Sequence, residues 1–168
     1  MQFNVANVKV SIKIKAIPLD IVSKILEEKN ILFKIHNNFI VVKAKFTFII
    51  FKSKNFQENH INITKIPNVD LISYAIIEIE NILNCSHLNL CIDNIIASSN
   101  LNRKLNLIQI VKNQTFQKVK YNNQKFPGLF ATFTKGTAII FHSGKIVIVG
   151  CHKVEDIEWI IKNICAHI

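Results

Sequence analysis

A chain of 168 residues that is 49 % hydrophobic and 19 % charged has the length of one domain, or of two small fused halves, and enough apolar surface to close a core. That composition excludes a disordered tail and a disulfide-stapled miniprotein. Its 21 basic and 11 acidic residues leave a charge of +10, almost all of it on lysine because Arg103 is the one arginine, and such an excess suits a polyanionic partner.

The opening segment alternates Val8, Val10, Ile12 and Ile14 with Asn7, Lys9, Ser11 and Lys13, the period of a strand with one polar face. No run of 18 apolar residues occurs, so neither a membrane span nor a signal peptide is expected. After Pro18 the period becomes helical, with Leu19, Val22, Ile25 and Leu26 on one face. Strands are predicted at Phe39 to Ala44, Phe46 to Phe51 and Ile61 to Ile66, with a polar insertion from Asn55 to His60 before the last. Beyond Pro67 a second helix carries Leu71, Ile72, Ala75, Ile76, Ile79 and Leu83. The same order then recurs. A strand near Cys91 to Ser99 precedes a helix near Leu105 to Phe116, then strands at Leu129 to Phe133, Thr137 to Phe141 and Lys145 to Val149. A final helix carries the stripe Val154, Ile157, Ile161, Ile164 and Ile168.

Two markers test the recurrence. Asn7 and Asn94 lie inside the first strand of their halves, Phe39 and Phe126 each precede a strand, and both pairs are 87 residues apart. The halves are therefore read as repeats, 1–84 and 85–168, that together make one domain. Strand, helix, several antiparallel strands and helix, written twice, predict an α+β fold: one curved antiparallel sheet with the helices on one face. All four glycines fall in the second half, which keeps its turn chemistry where the first has drifted.

Catalysis and cofactors find no support in the pattern. The second half has only Asp93, Glu155, Asp156 and Glu158 as carboxylates, the last three on one amphipathic helix where solvation explains them, and no phosphate-binding loop or nucleophile elbow occurs. Cys85, His87 and Cys91 lie close together but lack a fourth ligand, and Cys151 and Cys165 form no CxxC pair. The cysteines are read as small core residues of a reduced, intracellular chain, with no metal and no cofactor.

The run Tyr121-Asn-Asn-Gln-Lys-Phe-Pro-Gly-Leu129, followed by Ile139-Ile-Phe-His-Ser-Gly-Lys-Ile-Val-Ile-Val-Gly150, resembles the carboxy-terminal repeat of the TATA-box-binding protein family. With Asp93-Asn-Ile-Ile96 the resemblance covers about residues 91 to 168. The first half is similar through Asn7, Leu19-Asp20, Phe39, Ile50-Phe51 and Ile63-Thr64. The resemblance implies a saddle of ten strands whose concave face enters the minor groove of AT-rich DNA, with four helices facing protein partners. It assigns groove-floor hydrogen bonds to Asn7, Asn94 and Thr64, wedges to Phe39 with Phe51 and Phe126 with Phe141, and apolar groove contacts to Ile49, Ile96, Pro127, Ile139, Val147 and Val149. Lys9, Lys45 and Lys145 become phosphate contacts.

The implied function is a transcription initiation factor that binds and bends AT-rich promoters as a monomer. Its partners would be general transcription factors, or a dedicated factor IIB-like protein, and RNA polymerase, with no membrane. The implied location is the nucleus or a viral replication compartment. The alternative is a module of the same fold that binds proteins and holds DNA weakly. Departures from the family pattern concentrate in the first half, where Lys9 and Asn62 stand at aliphatic positions, although Val149 replaces a threonine and Thr132 an arginine in the second. The first half of the platform is thus expected to be patchier and more cationic. The loop Tyr121 to Lys125 carries Asn122 and Gln124 in place of acids, Asn123 in place of a proline, and a cation at Lys125.

Overall fold

The opening alternation becomes strand β1 (Phe3–Lys15), whose Val8, Val10, Ile12 and Ile14 are fully buried while Lys9 and Lys13 keep access to solvent. The computed structural model describes residues 2–112, 116 and 118–168. Two compact units emerge, Asn7–Asp93 and a second that joins Asn94–Ile168 to the residues up to Ala6. The unit boundaries fall inside β1 and β6, not at the division between repeats at 84 and 85, because each of these two long strands lends its ends to different units.

In the first unit β1 leads to α1 (Leu19–Glu28), β2 (Phe33–His36), β3 (Phe39–Lys43), β4 (Thr47–Phe51), β5 (Glu58–Ile66), a 3₁₀ turn (Val69–Leu71) and α2 (Ile72–Leu83). The antiparallel strand order is β2-β3-β4-β5-β1, with α1 packed on β3 and α2 on β5. Asn68 caps the 3₁₀ turn by accepting from the Leu71 N–H at 3.2 Å, and Asn84 ends α2 in the left-handed conformation at φ 51°. The core is built from Phe48, Ile40, Ile50, Ile61 and Ile63 on the strands and Val22, Leu26, Ala75 and Ile79 on the helices. Phe48→Ala at its centre would cost about 3–5 kcal/mol, because lost transfer energy adds to the cavity left behind.

The second unit contains the later part of β6 (His87–Asn100), then α3 (Leu107–Lys112), β7 (Val119–Lys120), β8 (Gly128–Phe133), β9 (Gly136–Phe141), β10 (Lys145–Cys151) and α4 (Val154–His167). Its strand order is β6-β10-β9-β8-β7, and α4 covers β9 and β10 with Ile157, Ile160, Ile161 and Ile164. Glu155 and Asp156 in the first turn of α4 and His167 in its last complement the helix dipole, and Asp156 also meets Lys135 at 3.3 Å.

Several expectations need correction. The edge strands β2 and β7 were not legible, being short and rich in lysine and histidine. Strand β5 begins at Glu58, so Asn59 and His60 belong to the ladder and not to a loop. Asn59 is 1 % exposed: its Oδ1 accepts the Ile17 N–H at 2.5 Å and its Nδ2 donates to the Phe51 carbonyl at 2.8 Å. The expected helix from 105 to 116 is α3, and its continuation through 113–115 lies outside the described residues. Of the thiols only Cys151 is buried, whereas Cys91 and Cys165 are exposed. Among the described residues no helix is long and apolar enough to cross a membrane.

Candidate nucleic-acid interface

Along most of the long strands alternate residues are buried against the helices and those between them lie on an open face, Ser11 being an exception at 7 % exposure, so strand register decides what that face carries. In the first unit Val41, Ile49, Asn62 and Ser11 form one row across β3, β4, β5 and β1. Phe39 faces Phe51 to one side of this row, and Thr47 faces Thr64 to the other. In the second unit Phe130, Ile139, Val147 and Ser98 form the corresponding row. Thr132, Thr137 and Val149 lie to one side of it, and Gly128 faces Phe141 on the other. Ile96 and Asn94 continue the exposed parity of β6.

The register makes structural counterparts of Ile49 and Ile139, Asn62 and Val147, His60 and Lys145, and Phe51 and Phe141. It also corrects one marker. The residue opposite Phe141 is Gly128, so the counterpart of Phe39 is Gly128 and not Phe126. Both pairs of rings meet nonetheless, Phe39 with Phe51 at 5.8 Å between centroids and Phe126 with Phe141 at 6.0 Å. In the first unit the ring sits directly on the ladder. In the second, Phe126 reaches over from the preceding turn, where Asn122 accepts the N–H groups of Lys125, Phe126 and Gln124. Gly128 leaves room for it: a Cβ there would lie 2.7 Å from both Phe126 Cε1 and Ile139 Cγ2. Pro127, between the ring and this glycine, is exposed.

Sequence reasoning missed the flanks of these pairs. His36 stacks on Phe39 at 4.4 Å and 18°, His60 lies 6.0 Å from Phe51, and Phe130 lies 5.2 Å from Phe126. Phe130 could have been found from its parity with Thr132, but the histidines emerge only once β2 and the start of β5 are placed.

The two strand asparagines differ. Asn94 Oδ1 accepts the Gly150 N–H at 2.7 Å, while Asn7 Oδ1 is buried with no hydrogen-bond partner among the described residues. A register shift occurs at the same place in both ladders, before Ile66 and before Cys151. There the second unit has Gly150 at φ +81° and the first has Lys65 at φ +63°. Thr64 Oγ1 donates to the Thr47 carbonyl at 3.5 Å, and Val149 presents no such group.

Lys45 and Lys145 are exposed, with Lys45 Nζ 5.8 Å from the centre of the Phe46 ring. Lys9 is 3.2 Å from Asp93, whose other oxygen accepts from Ser11 Oγ at 2.9 Å, so the first platform is not made more cationic at this point. Among the described residues no cluster of three or more histidine, cysteine or acidic side chains could hold a metal ion.

The family model described as transcription factor TFIID, or TATA-binding protein, matches residues 89–168. TATA-box-binding protein 2 of Methanosarcina mazei is 36 % identical over 58 residues, which are 33 % of this chain and 31 % of that protein. The TATA-box-binding protein of Thermococcus celer is 49 % identical over 41 residues, 23 % of this chain and 22 % of that one. These matches span about a third or less of the curated relatives. The solved structure of Methanococcus jannaschii TBP extends the likeness to 98 % of this chain and 96 % of that one, at 26 % identity and a TM-score of 0.78. Together these matches support a divergent protein of the TATA-binding protein family. Its fold class is therefore the α+β fold of TBP.

Proposed function

We propose that this TBP-family chain binds and bends AT-rich promoter duplex from the minor groove and so nucleates a transcription complex. The observation that carries the reading is the pair of ring contacts, Phe39 with Phe51 and Phe126 with Phe141, each beside an exposed row bearing Ile49 or Ile139. Unstacking a base step costs a few kcal/mol, and a flat ring wedged into it replaces part of the lost stacking; wedges of this kind in TBP are the general example of the mechanism. AT-rich pyrimidine–purine steps open most readily, which favours such sites before any base is read.

Discrimination at the groove floor follows from hydrogen-bond chemistry. A·T pairs present only acceptors, so the amides of Asn7 and Asn94 can donate to them, as can the hydroxyl of Thr64 by turning from the Thr47 carbonyl. Guanine adds an exocyclic amine that a close apolar face of Ile49, Ile96, Ile139, Val147 and Val149 leaves unpaired, at about 1–3 kcal/mol. Lys45 and Lys145 neutralise phosphates and give the complex its salt dependence. The chain acts as a monomer on DNA and recruits RNA polymerase through general transcription factors or a dedicated factor IIB-like partner. With neutral Asn122 and Gln124 and cationic Lys125, the loop before Phe126 has lost the acidic rim that the family offers factor IIB, so recruitment of a conventional factor IIB should be poor.

Titration of a TATA duplex and G·C-substituted controls across a salt series, with dyes at both DNA ends, tests the proposal. AT preference with end-to-end approach is expected. Equal affinity for all duplexes, or a specific complex with straight DNA, would sink it and leave the protein-binding alternative.

A further inference from the structure

Resting on that reading, we infer that Asn62, braced by His60, reads a base pair in the half-site under the first unit and lets that half-site accept a G·C pair where the second unit cannot. Asn62, partly exposed, lies between Ile49 and the buried Ser11 in the row Val41, Ile49, Asn62 and Ser11, and its counterpart in the second unit is Val147. His60 Nε2 lies 2.9 Å from Asn62 Oδ1. With the proton on Nε2 the ring donates to the amide oxygen, which leaves Nδ2 and the second lone pair of Oδ1 without a hydrogen-bond partner among the described residues.

That remaining pair of groups is what a G·C pair needs at the groove floor. Guanine offers a donor, its exocyclic amine, beside the acceptors N3 of guanine and O2 of cytosine. The free lone pair of Asn62 can accept from the amine, and Nδ2 can donate to a neighbouring acceptor. Val147 can do neither, so a guanine beneath it loses its amine's hydrogen bond to water and gains none. An A·T pair is still served, because Nδ2 can donate to adenine N3 or thymine O2. Asn62 therefore widens the reading without reversing it. Its neighbours suit a polar patch: Ser11 is tied to Asp93 at 2.9 Å, and Asp93 to Lys9 at 3.2 Å.

The test uses the full chain and a set of TATA duplexes in which each A·T pair in turn becomes G·C, at fixed salt. The wild-type protein should tolerate the change at one or two positions in one half-site with no more than a few-fold loss. Asn62→Val should raise the penalty there by about tenfold relative to the variant's own affinity for the unsubstituted duplex, near the middle of the range for a mismatched pair. Val147→Asn should create the mirror-image tolerance in the other half-site, and it keeps the idea testable should Asn62→Val fold poorly. His60→Ala should reduce the tolerance by freeing the amide to rotate. If Asn62→Val and wild type show the same position-by-position penalties on AT-selective binding, Asn62 does not read the groove. If neither protein prefers AT-rich DNA at all, the proposed function itself fails, and this inference with it.

Discussion

The second unit solves with glycine what the first solves with side chains. Gly128 makes room for a ring that folds over from an upstream turn, whereas the first unit puts Phe39 at that register position and stacks His36 on it. At the register shift Gly150 takes a positive φ freely, but Lys65 takes it at a cost. Asn59 stands at the counterpart of Gly144, and ties the backbones of Ile17 and Phe51 together where Gly144 fits closely against the Arg103 carbonyl. What the repeats share is the chemistry of a face. The residues that produce it have moved along the chain, so the two faces match better in register than in sequence.

The largest expected effect comes from deleting one wedge ring in each half. Phe141 is flanked by the row of Phe130, Ile139, Val147 and Ser98, while Phe51 adjoins a row in which Asn62 stands where the second has Val147. Phe141→Ala should therefore weaken binding to a TATA duplex more than Phe51→Ala does, by roughly 10- to 100-fold against a few-fold, on the scale of a lost base contact. Equal losses would mean that the histidine-flanked stack of the first unit is as effective a wedge.

The next comparison sets Lys9 against Lys145. Lys9 is compensated by Asp93 and Lys145 has no acidic partner in ion-pair range among the described residues. Lys145→Ala should lower the slope of log affinity against log salt by about one, the share of a single phosphate contact, and Lys9→Ala should leave it nearly unchanged. Asp93→Asn should steepen the slope by freeing Lys9. A full unit lost on Lys9→Ala would show that the ion pair opens on DNA and that Lys9 does contact a phosphate.

How much of this was legible follows from the range of each interaction. Val8 to Ile14, the stripe on α4 and the Phe-Pro-Gly and Phe-His-Ser-Gly-Lys turns announce themselves locally, and β1, β3, β4, β8, β9, β10, α1, α2 and α4 cover, to within one residue, the segments their periods marked, while β5, β6 and α3 have other bounds. The equal offsets of Asn7 and Phe39 from Asn94 and Phe126 led to the reading of two repeats, yet the second offset paired residues that the ladders do not. A strand period cannot report a register changed by a shorter hairpin. The Lys9–Asp93 pair joins residues distant in sequence and could not be foreseen, and His60 was hidden because a polar run read as a loop turned out to start β5.

Stability offers a smaller contrast, at the register shift. Gly150→Ala puts a side chain at φ +81°, where space is open but the backbone is strained, and should cost about 1–2 kcal/mol. Lys65→Gly should gain less, about 0.5 kcal/mol, because glycine also loosens the unfolded chain. Thermal melts of the two variants decide it. If Lys65→Gly destabilises the protein, the lysine side chain makes contacts that outweigh its backbone strain.

The smallest expected effect concerns acid. In the first unit α2 is joined to β6 by Glu80, whose Oε1 accepts both the His87 backbone N–H and His87 Nδ1 at 2.8 Å. These hydrogen bonds hold the Glu80 carboxyl below its ordinary value of 4.5, against a smaller opposing push from burial. A carboxyl lowered by folding stabilises the native state above its unfolded value and loses that contribution as pH falls through the lowered one. The α4 end of the second unit has no acid in the same role, since His167 Nδ1 meets the Asn163 carbonyl instead. Glu80→Gln should therefore lower the melting temperature at neutral pH by on the order of 2 °C, and the gap should close as pH falls through the carboxylate range. Amide exchange should show the α2–β6 joint loosening in acid before α4 does. A gap that stays constant between neutral and strongly acidic pH would show that Glu80 acts there through packing and not through its charge.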